Sequence, residues 1–156
     1  MYKRKGYDTN DVQVQRTGAL KIFGYNDGEL LFKESIAPNQ GVGFGARHLD
    51  FHPNGSWIYL AVERQSELHL LHIKNGSIDS TIVQNVSTLS KSIGSGVRQA
   101  VSAVHVHPSG NFVYISNRTY ASNKHQADNT IPCGEDNIAV FKINEHTGEV
   151  TPIQHC

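Results

Sequence analysis

Three charged residues have the types needed to bind and hydrolyse an anionic substrate: Arg47, Glu63 and Arg118. An arginine guanidinium is a fixed two-pronged donor for a carboxylate or phosphate, and a second guanidinium can stabilise an oxyanion. A carboxylate can accept a proton from an attacking water or, when protonated, donate one to a leaving alkoxide. The three residues therefore predict a hydrolytic site that needs no metal, provided that the fold brings them together.

Each of the three residues also has a structural interpretation. Arg47 and Glu63 can form an ion pair that ties two strands together, and Arg118 can be a solvated strand end. Whether the catalytic or the structural interpretation applies depends on the strands that position these side chains.

The sequence contains two copies of one pattern, 55 residues apart. FHPNGSWIYLAVE begins at Phe51, and VHPSGNFVYISNR begins at Val106. A second pattern follows each copy, as ELHLLHIKNGSI from residue 67 and as NIAVFKINEHTGEV from residue 137, and it also stands alone from residue 19 as ALKIFGYNDGEL. Self-similarity at a fixed interval predicts a repeat architecture.

The repeated unit has the pattern of four short antiparallel strands. Apolar and β-branched residues alternate within each piece, and His-Pro-x-Gly, Asn-Gly and Thr-Gly supply turns between them. The strands are expected near 47–52, 56–62, 67–73 and 77–85, near 101–106, 111–116, 137–143 and 149–154, and, for a trailing pair, near 18–25 and 29–36. Four-stranded units in series predict an all-β fold of the β-propeller type, because the rival β-sandwich does not predict the same pair of motifs twice.

The predicted domain organisation is about two and a half blades: a trailing half-blade over 12–37, a full blade over 44–87, and a full blade over 100–156 with an inserted loop over 119–136. Propellers close with about four to eight blades. We therefore expect a fragment, a split reading frame or a chain that needs further blades; the alternative is a partial propeller that self-associates through its open blade edges.

These blades place the three charged residues at one rim. Arg47 begins the first strand of its blade and Glu63 ends the second, antiparallel strand, while Arg118 takes the place of Glu63 one blade later. Inner strands of a propeller surround the central channel, whose mouth is a common position for a ligand pocket.

Composition excludes several classes of partner. Lys plus Arg and Asp plus Glu each total 14, so the net charge is zero, and neither a nucleic-acid nor a membrane partner is expected. No secretory leader and no long apolar run is present, which favours a cytoplasmic protein with free thiols at Cys133 and Cys156.

Several other polar residues have simpler interpretations. His52 and His107 recur beside proline in each copy, as residues that maintain the blade do. His105 and His107 lie two residues apart and so share one face of a strand. A metal site would need a third protein ligand, and none is indicated, so neither a metal nor another cofactor is expected. The glycine-rich loop over 41–45 lacks a surrounding βαβ unit, which excludes a dinucleotide site.

The ordered motifs resemble the seven-bladed β-propeller lactonases of the 6-phosphogluconolactonase and muconate-lactonizing type. GVGFGARHLDFHPNGSWIYLAVE is similar to their glycine-rich loop, Pro-Arg-His, His-Pro-Asn-Gly and terminal Asn-Glu, and SAVHVHPSGNFVYISNRTY is similar to the next blade. The resemblance covers about residues 12 to 152. This chain departs from the family pattern at Ala46 and Val62, where proline and asparagine are common, and in its long loop over 119–136. Family members also have further blades on both sides, and the preceding blade carries a histidine that has no counterpart here.

The resemblance implies a lactone hydrolase that acts on a small anionic substrate, 6-phosphogluconolactone of the pentose phosphate pathway. It favours Arg47, Glu63 and Arg118 as catalytic residues and adds His48 and His105 as substrate-binding neighbours. The alternatives are a muconate cycloisomerase and a non-catalytic binding platform. We expect the isolated chain to be weakly active or inactive, and the loop over 119–136 to be mobile and to border the pocket.

Overall fold

A computed structural model describes residues 18–91, 97–120 and 134–156. Ten strands form three antiparallel sheets. The strands are β1 (Leu20–Asn26), β2 (Glu29–Ile36), β3 (Ala46–Phe51), β4 (Trp57–Val62), β5 (Glu67–Lys74), β6 (Ser77–Ser87), β7 (Arg98–Val106), β8 (Phe112–Tyr120), β9 (Ile138–Ile143) and β10 (Val150–His155).

The three sheets confirm the predicted all-β propeller fold. β1 and β2 form a hairpin, and β3–β4–β5–β6 and β7–β8–β9–β10 each form a four-stranded meander in chain order. We call these sheets the hairpin, the first blade and the second blade. A short turn over Pro38–Gly41 connects the hairpin to the first blade, and no α-helix occurs in the described ranges.

The second blade differs from the prediction at the ends of its inner strands. β7 begins at Arg98 and β8 ends at Tyr120, so residues 119 and 120 belong to a strand and not to the predicted loop. The ladder is extended because Arg98 pairs with Tyr120, and Gln99 with Thr119. Residues 121–133, the rest of that loop apart from its last three residues, lie outside the described part of the chain.

The first blade packs on both of its faces. All six residues of β4 are buried, which an alternating strand with one wet face would not show. Trp57, Tyr59 and Ala61 face the second blade in the larger apolar cluster, whereas Leu60 and Val62 join Phe44 and Leu71 on the opposite face. This two-sided burial is what a blade inside a stack of blades requires.

Backbone and side-chain hydrogen bonds join the two blades along β3 and β7. Asp50 Oδ2 on β3 accepts the N–H of Val106 on β7 at 2.8 Å, and the N–H of Val101 lies 3.3 Å from the carbonyl oxygen of Glu63. The innermost strands are therefore held side by side, so that residues of both blades can contribute to one site. Within the described residues, no helix is long and apolar enough to cross a membrane.

Candidate active site

Arg47 is positioned by a β-bulge. Ala46 pairs with Val62 and His48 pairs with Ala61, so Arg47 is the extra residue of β3 that has no partner in the ladder. Bulges re-aim side chains and are common beside active sites. The bulge therefore gives Arg47 a direction that regular alternation along β3 would not give it.

Glu63 follows directly after β4 and is held through its backbone. Its N–H donates to the carbonyl of Gly45 at 2.8 Å, and its own carbonyl accepts from Val101 of the second blade. The residue thus lies where the two blades meet at one rim.

The side chains of the three predicted catalytic residues converge on one oxygen atom. Arg47 Nε lies 3.2 Å from Glu63 Oε1, and Arg118 Nη2 lies 2.6 Å from the same oxygen. The exposed fractions of the three side chains are 27% for Arg47, 24% for Glu63 and 40% for Arg118. The group is partly shielded yet open to a ligand, and the two guanidiniums favour the ionised form of the carboxylate.

Arg118 is carried by a strand end that a buried polar network anchors. The neighbouring Asn117 donates to the carbonyl of Thr88 and to Asn137 Oδ1, each at 2.8 Å, and accepts from Thr88 Oγ1 at 2.7 Å. Farther along, Asn137 donates to Glu135 Oε2 at 2.9 Å. This network ties β8 to β9 and to the segment after β6, and so fixes the strand from which Arg118 projects.

The two histidines predicted to bind substrate lie in different places. His48 is exposed and adjoins the group, because its Nδ1 lies 3.2 Å from Arg47 Nη1. His105 pairs with Tyr114, whereas Ala100 pairs with Arg118, so His105 lies five residues along β7 from the rim, or about 15 Å at strand spacing. The structure brings His48, but not His105, to the three charged residues.

Asp50 is a half-buried polar residue of β3 that the sequence analysis did not identify. Its Oδ2 lies 4.0 Å from His105 Nδ1, whose side chain is 78% exposed, and its Oδ1 accepts the N–H of Phe51. Asp50 and His105 occupy the same position in consecutive repeats, as do Glu63 and Arg118. The 55-residue interval that relates Glu63 to Arg118 also relates Asp50 to His105, so the same comparison would have identified Asp50.

Known proteins similar to this chain share both the sequence pattern and the fold. The model of the family described as lactonase, 7-bladed β-propeller, matches residues 16–156. The chain is 28% identical over 145 residues to the 6-phosphogluconolactonase of Bacillus subtilis, covering 93% of this chain and 37% of that protein. It is 28% identical over 158 residues to the 6-phosphogluconolactonase of Pectobacterium atrosepticum, covering 81% and 47%.

Solved structures extend the comparison to the fold. A protein from Lactobacillus plantarum superposes with a TM-score of 0.67 at 25% identity, covering 88% of this chain and 35% of that one. The periplasmic gluconolactonase of Pseudomonas aeruginosa superposes with a TM-score of 0.57 at 20% identity, covering 74% and 27%, which supports the fold alone. The chain spans less than half the length of the two curated relatives described above. From the family match over nearly its whole length, this chain belongs to the lactonase family of seven-bladed β-propellers.

Proposed function

We propose that this chain supplies part of the active site of a lactone hydrolase that acts on 6-phosphogluconolactone. The observation that carries the proposal is the convergence of Arg47 Nε and Arg118 Nη2 on Glu63 Oε1, where the two blades meet. The names of the two curated relatives support the choice of substrate. No observation favours the muconate cycloisomerase or the non-catalytic platform over the hydrolase.

The two arginines match the two negative groups of the reaction. The substrate carries a phosphate, and its ester carbonyl becomes an oxyanion when water attacks. Arg118 is the more exposed of the two, at 40% against 27%, so we assign it to the phosphate and assign Arg47, aimed by its bulge, to the oxyanion. Guanidinium groups suit both tasks because they offer several fixed donors.

Glu63 is assigned the role of general base toward the attacking water. As a carboxylate it accepts a proton from that water while the oxygen adds to the lactone carbonyl carbon. The carbon–oxygen bond of the ring then breaks, the ring oxygen takes a proton, and a phosphorylated hydroxy acid leaves. Two cationic contacts keep the carboxylate charged, so the geometry favours a base over a general acid in the resting site.

The histidines have different places in this proposal. His48, beside Arg47, is assigned to substrate positioning. His105 stays a prediction for a part of the substrate that extends down the channel toward Asp50. We further propose a cytoplasmic location and a role in the pentose phosphate pathway, and localisation of the protein in its host cell tests the first.

The direct test is an assay of lactone hydrolysis by the intact propeller protein and by the 156-residue chain. Proton release from 6-phosphogluconolactone is measured against spontaneous hydrolysis, with cis,cis-muconate as the second substrate. We expect rapid hydrolysis by the intact protein, none or little by the chain alone, and no turnover of the muconate. An intact protein that leaves the spontaneous rate unchanged would contradict the proposal.

A further inference from the structure

The second blade repeats the β-bulge that positions Arg47. In the pairing of β7 with β8, two residues of β7, Ser102 and Ala103, lie opposite the single residue Ser116. Such an extra residue in one strand defines a bulge, which bends the strand and re-aims its side chains. Positions 47 and 102 are separated by the 55-residue interval of the repeat. Ser102 is therefore the bulge residue of the second blade, as Arg47 is of the first.

A hydroxyl group other than that of Ser102 supports the second bulge. Ser116 Oγ accepts the N–H of Ala103 at 3.0 Å. The residue at the position of Ser116 in the first blade is Ala61, which has no hydroxyl and pairs directly with His48. The second bulge thus has its own support in Ser116, and the Ser102 hydroxyl is not needed for it.

The two bulges differ in the size and charge of their side chains. The first bulge carries Arg47 and His48, and the second carries Ser102 and Ala103 at the same two positions. The serine and alanine side chains fill much less volume than the arginine and histidine side chains. The second bulge therefore leaves room beside β7 that the first bulge does not leave beside β3.

Backbone contacts place Ser102 close to the candidate active site. The preceding residue, Val101, has its N–H 3.3 Å from the carbonyl oxygen of Glu63, and Ala100 pairs with Arg118. Ser102 is thus one residue from a contact with Glu63 and two residues, about 7 Å along the strand, from the partner of Arg118. A molecule bound by the Arg118 guanidinium lies within reach of this part of β7.

The repeat also predicts the direction of the Ser102 side chain. In the first blade the bulge residue contacts the charged residue at the end of the neighbouring strand, since Arg47 Nε lies 3.2 Å from Glu63 Oε1. The equivalent pair in the second blade is Ser102 and Arg118. Because a serine side chain is much shorter than an arginine side chain, a shared ligand fits between the members of this second pair.

The Ser102 hydroxyl is available for a ligand. Ser102 is half-buried, and its hydroxyl has no hydrogen-bond partner within the part of the chain that the structure describes. A hydroxyl group carries one donor, and its hydrogen bond to an anionic oxygen is stronger than a bond between neutral groups. The chemistry of this position therefore suits an anionic group that already contacts a guanidinium.

We propose that Ser102 is a substrate-binding residue whose hydroxyl donates a hydrogen bond to the phosphate bound by Arg118. This assignment rests on the proposed function and names a second protein group that recognises the phosphate. The phosphate is bound from two neighbouring strands of the second blade, by the hydroxyl on β7 and the guanidinium on β8. The two bulges thus have separate tasks: Arg47 contacts the oxyanion, and Ser102 contacts the phosphate.

The kinetic test compares Ser102→Ala with the unmodified intact propeller protein on two lactones. The KM for 6-phosphogluconolactone should rise roughly tenfold, as expected for the loss of one hydrogen bond to a charged group. The kcat should change little because the hydroxyl does not contact the reacting atoms, and the KM for unphosphorylated gluconolactone should stay the same. Ser80→Ala, at an exposed serine of β6, is the control and should match the unmodified protein on both substrates.

Two substitutions of the same shape separate the hydroxyl from the volume of the side chain. Ser102→Thr keeps the hydroxyl, whereas Ser102→Val replaces it with a methyl group. The threonine variant should retain most of the affinity for the phosphorylated lactone, and the valine variant should resemble Ser102→Ala. Equal KM values for the threonine and valine variants would overturn the assignment, because they would show that the hydroxyl makes no contact.

Calorimetric binding of 6-phosphogluconate, with gluconate as the matched ligand, does not depend on turnover. Ser102→Ala should weaken binding of 6-phosphogluconate roughly tenfold and leave gluconate binding unchanged. An intact protein that shows this difference but does not hydrolyse the lactone would contradict the proposed function and support the role of Ser102. A protein that hydrolyses the lactone, with a KM that Ser102→Ala does not alter, would overturn the role of Ser102 alone. Equal losses of Ser102→Ala on both lactones would also overturn it, because the contact would then be to the sugar.

Discussion

Glu63 and Arg118 occupy the same position in consecutive blades, and Arg118 Nη2 lies 2.6 Å from Glu63 Oε1. The repeat therefore changes charge from one blade to the next at a position where the blades meet. Asp50 and His105 also occupy one repeat position in consecutive blades, and Asp50 Oδ2 lies 4.0 Å from His105 Nδ1. Neighbouring copies of one structural position are thus brought into proximity, although they lie 55 residues apart in the chain.

Under the proposed function, the two arginines are expected to have separable effects on lactone hydrolysis by the intact propeller protein. Arg118→Ala should raise the KM for the phosphorylated lactone and leave unphosphorylated gluconolactone nearly unaffected. Arg47→Ala should lower kcat for both substrates by about 10²–10³-fold, the usual effect of removing an oxyanion donor. Steady-state kinetics with both lactones measures this difference.

Arg98→Ala is the control for the arginine variants, since Arg98 is an exposed residue at the start of β7. Its kinetics should match the unmodified enzyme. Equal losses of Arg118→Ala on both lactones would contradict the assignment of Arg118 to the phosphate.

The buried hydroxyl of Tyr59 is expected to stabilise the interface between the blades. Tyr59→Phe leaves the carbonyl of Gly148 without its donor and should cost about 1–2 kcal/mol at neutral pH. Tyr114→Phe, at the same position of the second blade, should change the free energy of unfolding by less than about 0.5 kcal/mol. Urea unfolding measures the loss of unfolding free energy for both variants, and equal losses would contradict the assigned role of Tyr59 at the interface.

Tyr59 also predicts a dependence of stability on alkaline pH. Burial raises the pKa of the Tyr59 hydroxyl far above its usual value. In the unfolded chain the hydroxyl ionises near pH 10, while the folded chain keeps the proton, so the stability contributed by Tyr59 is lost as pH rises above about 10. The difference between the unmodified chain and Tyr59→Phe should therefore shrink from pH 9 to about pH 11, and a constant difference would contradict this explanation.

Glu135 is expected to stabilise the chain at neutral pH and to lose that effect in acid. Burial by itself raises the pKa of this carboxyl, but hydrogen bonds from Ser90, Asn137 and Lys91 outweigh burial and hold the pKa below its usual value. Its contribution is thus complete above the unfolded pKa of about 4.3 and is lost as pH falls through the lower folded pKa.

The corresponding variant is Glu135→Gln. It should be less stable by about 1–3 kcal/mol at pH 7, with a difference that narrows below about pH 4. Glu145→Gln, whose side chain is 81% exposed, is the control and should be nearly neutral at both pH values. Unfolding curves recorded across this pH range measure the loss of stability for each variant. A loss for Glu135→Gln that does not depend on pH would show that the charge of Glu135 is not responsible.

The sequence was sufficient to predict the strands and the convergence of three charged residues, because a propeller repeat carries turn glycines and alternating strands at a fixed interval. It did not predict the bulge at Arg47, since a bulge depends on the register between two strands. The burial of all six residues of β4 was also not predicted, because solvent exposure of a blade's two faces depends on which sheets pack against them. Asp50 was overlooked, although the 55-residue interval relates it to His105 as it relates Glu63 to Arg118.

The most direct test of the central claim is the pH–rate profile of Glu63→Gln in the intact protein, with Glu145→Gln as the matched control. If Glu63 is the base that activates water, the variant should lose about 10²–10⁴-fold in kcat on 6-phosphogluconolactone and lose the acidic limb of the profile. Glu145→Gln should retain both the kcat of the unmodified protein and the acidic limb of its pH–rate profile. A Glu63→Gln enzyme with unchanged kcat and an unchanged profile would contradict the account, and would leave the ion pairs among Arg47, Glu63 and Arg118 a purely structural role.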